Sequence, residues 1–222
     1  MATKNLSKEE KLTAEQKMIG TVSNFFQKNR ILVIVIAAVI VVGLIAAIVV
    51  VNSVNNAKAK AQVKINSLEE AYSEQLAAET PEWTTLESEL KAMIKGSSYP
   101  SVKASYLLGL VYYDQEKYAD AQTAFEDTFK LNTKVYLAPM ALVNAAACAE
   151  AQGNTTAALD LYNQVYNDYQ ESGVAPKALF NAARIYMQQG NTQLAQATFA
   201  QVAEYYPGSE YGMLAASLAN VL

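Results

Sequence analysis

With no histidine among its 222 residues, the chain lacks the side chain that most often activates a nucleophile near neutral pH. Lysine is then the remaining base, and it meets hydroxyls at one place, where Lys95 and Lys103 flank Ser97 and Ser98. That run, Gly-Ser-Ser-Tyr-Pro, has the composition of a solvated loop between helices, so it is not expected to be a site. The single cysteine, Cys148, stands in Ala145-Ala146-Ala147-Cys148-Ala149, where a small buried apolar residue is expected rather than a thiolate. One cysteine and no histidine exclude an intrachain disulfide and zinc sites built from His or several Cys. The sequence holds no Gly-rich phosphate loop and no calcium-loop or paired-carboxylate spacing. The expectation is a protein that is not an enzyme and takes no metal or cofactor. Nucleic acid is also excluded as a partner, because residues 57–222 hold eleven Lys/Arg against eighteen Asp/Glu.

Composition points to placement instead. Hydrophobic residues make up 52% and charged residues 17%, below the usual ~25% charged. The excess sits in Ile31 to Val51, twenty-one apolar residues without a charge. As a helix this block is about 31 Å long, matching the ~30 Å hydrocarbon core of a bilayer. It exceeds the ~7–15-residue apolar region of a cleaved signal peptide, so residues 31–51 read as a retained transmembrane signal-anchor in contact with lipid. Lys28 and Arg30 abut its N-terminal end, and residues 1–30 hold six Lys/Arg against three acids. The far end first meets Asn52-Ser53-Val54-Asn55-Asn56, with Lys58, Lys60 and Lys64 beyond. The bias assigns 1–30 to the cytoplasm and the rest to the outside. Within 1–30, Met18, Ile19, Val22, Phe25 and Phe26 form an amphipathic stretch, suited to a membrane surface but read first as a helical run-in to the crossing. Gly43 and Ala47 make a small-xxx-small pair that permits homo-oligomers through the crossing.

The elements beyond the anchor follow from self-similarity. Segments 102–138, 139–175 and 176–212 align without a gap at a period of 37 residues. Position 3 is Ala104, Ala141 and Ala178; position 8 is Gly109, Ala146 and Ala183; position 20 is Ala121, Ala158 and Ala195. Position 24 is aromatic each time: Phe125, Tyr162, Phe199. Each segment predicts two helices of about fourteen residues. Small residues let their backbones approach, and the ring fills the space beside them. Gly153 and Gly190 end the first helix in the left-handed region, Asn154 and Asn191 cap the second, and Pro139 and Pro176 open the first turn. Residues 52–98 read as a linker and a degenerate helical hairpin, and 213–222 as a closing helix on the 99–222 array.

Leu108-Gly109, Tyr112, Ala121 and Phe125 resemble the tetratricopeptide repeat, a helix–turn–helix unit of about 34 residues with small residues at 8 and 20 and aromatics at 11 and 24. Pro207 matches the family's terminal proline, and Ala149 departs from its aromatic position 11. The resemblance implies an all-α fold, a single N-terminal transmembrane helix followed by an α-solenoid of helical hairpins. It also implies a concave peptide-binding face carried by the first helix of each pair. Transferred by position, that face comprises Lys103, Tyr106, Leu110 and Tyr113, then Met140, Val143 and Asn144, then Lys177, Phe180, Arg184 and Met187. Asn144 and Lys177 resemble two parts of the family's carboxylate clamp, but Tyr106 and Leu110 stand where its remaining Lys and Asn are needed.

The layout as a whole is similar to the ancillary subunits of the bacterial Sec translocon, inner-membrane proteins with a periplasmic domain of such repeats. That likeness implies an adaptor that binds polypeptides at the outer face of the plasma membrane, assisting secretion and chaperone hand-over, with translocon, chaperones or secreted chains as partners. The alternative is a structural scaffold for cell-envelope assembly or division complexes.

Overall fold

The computed structural model describes residues 14–219 and 221, and every regular element among them is helical. The elements are α1 (Ala14–Lys28), α2 (Arg30–Ala77), α3 (Thr84–Met93), α4 (Tyr99–Asp114), α5 (Tyr118–Leu131), α6 (Leu137–Ala151), α7 (Thr155–Asp168), α8 (Ala175–Gln188), α9 (Thr192–Tyr205) and α10 (Glu210–Ala219). The chain divides into two compact units, Met1–Ala59 and Lys60–Leu222.

In the first unit, α2 carries a window of mean hydropathy 3.5, long and apolar enough to cross a membrane and unburied by any protein neighbour. The helix does not stop where the apolar block does. Asn52, Ser53, Asn55 and Asn56, read from sequence as the start of a linker, lie inside it, because nothing between Val51 and Ala57 is a helix breaker. From Gln16 to Leu68 the sequence has six cations and no acid.

The second unit is a row of antiparallel helix pairs. The last part of α2 and α3 bury Ile65, Leu68, Leu86 and Leu90 against Leu107, Leu108 and Val111 of α4. The pairs α4/α5, α6/α7 and α8/α9 repeat one packing scheme, and α10 covers the last with Ala215 fully buried beside Phe199. At each crossing the ring at position 24 is fully or almost fully buried: Phe125 0%, Tyr162 1%, Phe199 0% exposed. Complete burial of such a side chain contributes ~1.5–3 kcal/mol relative to exposure. Gly109 is required at the first crossing, since a Cβ there would lie 2.6 Å from the Phe125 ring. Asn154 and Asn191 cap α7 and α9, accepting from the backbone N–H of Ala157 and Leu194.

The longer period of this array has a structural use. At position 31 of each segment, a side chain reaches back to a loop carbonyl of the preceding pair. Asn132 donates to Ser97 (3.3 Å), Tyr169 to Thr133 (2.8 Å) and Tyr206 to Gln170 (3.1 Å). These links tie the long loops in register, so 37 residues per unit is not slack.

Candidate protein-binding face

Helices α4, α6 and α8 share one face, joined side chain to side chain. Lys103 of α4 pairs with Glu69 of α2, Asn144 of α6 donates to the Tyr106 hydroxyl at 2.9 Å, and Arg184 of α8 pairs with Glu150 of α6. A cleft of about 270 Å³ opens on this face, lined by Lys103, Tyr106, Leu110 and Met140 together with Glu69, Tyr72, Tyr136 and others. Its walls are rings and aliphatic chains, and one ion pair stands among them.

Four of the residues expected on the face therefore meet in one recess. Asn144 is committed to Tyr106. Tyr113 is 41% exposed and packs edge-on to Tyr118 at 5.5 Å, outside the recess. Phe180 is half-buried between Phe199 (5.2 Å) and Tyr211 (5.4 Å). Lys177 and Met187 lie on α8 away from the cleft, and Arg184 is taken up by Glu150. Val143 is 2% exposed within the core shared by α6, α7 and α8, so it presents no binding surface. A valine is short enough for its neighbours to close over it, where Tyr106 and Phe180 at the same position project further.

The transferred positions miss Glu69, Tyr72 and Tyr136. Tyr72 lies 37 residues before Gly109, where a small residue would continue position 8 of the repeat, and the structure gives the reason for the ring. Its ring packs on Trp83 at 6.0 Å, and its hydroxyl donates to Asp114 at 2.6 Å. Burial, then the bond and charge of Asp114, hold that hydroxyl well above the ordinary tyrosine range, so it stays a donor. Tyr136 stands 37 residues after Tyr99, and their hydroxyls are 2.9 Å apart. That periodic pair is the signal that would have found it.

The loop hydroxyls show no catalytic arrangement. Lys103 is held by Glu69, the Lys95 backbone N–H donates to Ser101, and Ser97 and Ser98 are exposed. Cys148 is fully buried, and desolvation pushes its thiol up to about 12. Among the described residues no three or more of Cys, Asp and Glu come together where they could hold a metal ion.

Stacked antiparallel hairpins with small residues at the crossings, joined along one open face, define an α-solenoid. Two family profiles, each described as tetratricopeptide repeat, match residues 106–176 and 149–218. The chain thus carries tetratricopeptide repeats. Among solved structures, a tetratricopeptide repeat protein from Parabacteroides merdae ATCC 43184 is 23% identical with a TM-score of 0.54, over 71% of this chain and 59% of that one. PcrH from Pseudomonas aeruginosa is 22% identical with a TM-score of 0.49, over 58% of this chain and 96% of that one. PcrH in complex with the chaperone binding region of PopB gives 23%, 0.48, 58% and 99%. At these identities the likeness is one of fold. No curated protein matches the chain.

Proposed function

We propose that the protein is a membrane-anchored adaptor whose repeats hold polypeptide segments at the outer face of the plasma membrane. The observation that carries this reading is the recess of Tyr72, Tyr106, Leu110, Tyr136 and Met140, with the Lys103–Glu69 pair among them, on a face built by repeats. An apolar, aromatic recess accepts the side chains of an extended or helical peptide, and a charge pair at its side fixes direction. The apolar part of α2 supports the anchor, and the positive flank of Lys28 and Arg30 supports an N-terminus in the cytoplasm. Secreted chains in transit, chaperones and the translocon are the partners such a placement would serve.

Photo-cross-linkers at Leu110 and Met140 are expected to capture secretory chains far more than cross-linkers at the exposed Thr123 and Asp127 of α5. Equal capture at both faces would overturn the reading. A single stoichiometric partner on purification would assign instead a scaffold in envelope assembly or division. Protease added to spheroplasts should digest the repeats, and protection would reverse the topology.

A further inference from the structure

We propose that α1 is a second membrane element, lying along an anionic bilayer leaflet with its apolar side sunk among the headgroups. This rests on the anchor reading of α2. Met18, Ile19, Val22, Phe25 and Phe26 are 67%, 66%, 50%, 57% and 50% exposed, and no other part of the described protein covers them. At about 100° per residue they fall within an arc of about 120°, the width of a buried helix stripe. Gly20, Ser23, Asn24 and Gln27 occupy the opposite side. Lys17 and Lys28, three turns apart, lie together on the polar side, about 60–80° beyond one edge of the arc, from where long basic side chains reach toward phosphates along their apolar stems.

Two further observations choose lipid as the occupant. The first is continuity. Only Asn29 separates α1 from α2, and its backbone and side-chain amides both donate to the Phe25 carbonyl (2.9 and 3.0 Å). Arg30 begins the helix that holds the apolar block, so α1 ends at headgroup depth. A straight run-in would carry Met18 about 18 Å outward into water; lying flat keeps all five side chains in apolar contact. The second is charge. Gln16 to Leu68 has no acid, and among the described residues Lys17, Lys28 and Arg30 make no ion pair. A parallel second copy of α1 would set Lys17 against Lys17 and Lys28 against Lys28, and the one acid of α1, Glu15, does not balance its two lysines and Arg30, whereas an anionic leaflet neutralises them.

The test uses the full chain, with Cys148→Ala, in phosphatidylglycerol-containing nanodiscs. A nitroxide is placed at each position from 16 to 28 and, as controls, at Val35 and Val42. Collision rates with oxygen and a nickel chelate give depth. The expected result is a depth that oscillates with the helical period, deepest at Met18, Val22 and Phe26, without drift along α1. A steady drift from 28 to 16 with Val42 fully immersed overturns the proposal and leaves the anchor intact. Val42 in water overturns the anchor itself. Dipolar broadening between like-labelled copies, with α1 out of the lipid, assigns the face to a second copy and overturns the proposal. Replacing Lys17 and Lys28 by Gln should lower the seated-to-detached ratio roughly 20- to 30-fold in anionic discs and little in zwitterionic ones. An equal effect in both would overturn the anionic preference.

Discussion

At the crossing of α4 and α5 the Tyr106 ring lies 5.5 Å from that of Phe125, and at the crossing of α8 and α9 Phe180 lies 5.2 Å from Phe199. Between them, α6 and α7 have Val143 at the same position, opposite Tyr162. Among the described residues no ring stacks on Tyr162 as Tyr106 and Phe180 do on Phe125 and Phe199. Its hydroxyl donates to Glu150 at 2.7 Å and accepts from Asn181 at 3.3 Å, and Glu150 is also paired with Arg184. The flanking pairs stack two rings at the crossing, and each stack is met by the next element, Asn144 at Tyr106 and Tyr211 at Phe180; the middle pair has no such stack and closes through a charged polar network that reaches into the next pair. A shared backbone arrangement thus admits two chemistries at the crossing, ring stacking and a hydrogen-bonded ion pair, and both couple to neighbours.

Truncating the rings should break the flanking pairs hardest. Phe125→Ala or Phe199→Ala is expected to cost ~3–5 kcal/mol, whereas Tyr162→Phe, which keeps the ring, should cost ~1 kcal/mol. Urea unfolding followed by circular dichroism checks both, and equal losses would erase the distinction. Glu150→Ala strands Arg184 and the Tyr162 hydroxyl and should cost about 1.5–3 kcal/mol. Because the network crosses between pairs, that loss should lower hydrogen-exchange protection in α8 as well as α6 and α7. Gly109→Ala drives a methyl into the Phe125 ring and should cost ~1–3 kcal/mol despite the better helix former. The middle pair already holds Ala146 in this slot and should lose ~1 kcal/mol on Ala146→Gly.

The middle pair also has a pH signature. With the folded Cys148 thiol near 12 and the ordinary value 9.0, the unfolded chain loses this proton first. The contribution is complete below pH 9 and is lost as pH rises from there toward 12. Urea midpoints measured from pH 8 to 10.5 should fall, and Cys148→Ala should remove about 1.4 kcal/mol of the decline per pH unit above 9. The smallest effect concerns the turns. Gly153 and Gly190 have φ of 75° and 76°, and the matching first turn has Glu116 at 59°. Glu116→Gly should stabilise the first pair by about 0.5–1 kcal/mol, and a loss instead would show that the Glu116 side chain makes up for its strain.

The period, the small slots and the ring positions were legible because each is a residue type that steric contact demands at a fixed interval. Gly153, Gly190, Asn154 and Asn191 were legible for the same reason, since left-handed backbone and free N–H groups select few side chains. Val143 was not, because whether an inward position is surface or core depends on the size of its own side chain and of those around it. Tyr72 and Tyr136 were missed for a different reason. The cleft draws on the α2–α3 hairpin, whose sequence obeys none of the repeat's slot rules yet packs by the same shapes. The continuation of α2 past Val51 was hidden by polar asparagines, which mark a change of solvent and not the end of a helix.

The backward links from Asn132, Tyr169 and Tyr206 share an asymmetry. Each donor is a particular side chain, but each acceptor is a main-chain carbonyl, which every amino acid supplies. A duplicated 37-residue stretch therefore brings its own fastener and asks nothing of the copy it lands on. Lengthening such a protein by tandem insertion requires no matching change next door, and the number of hairpins is free to drift while their spacing is kept.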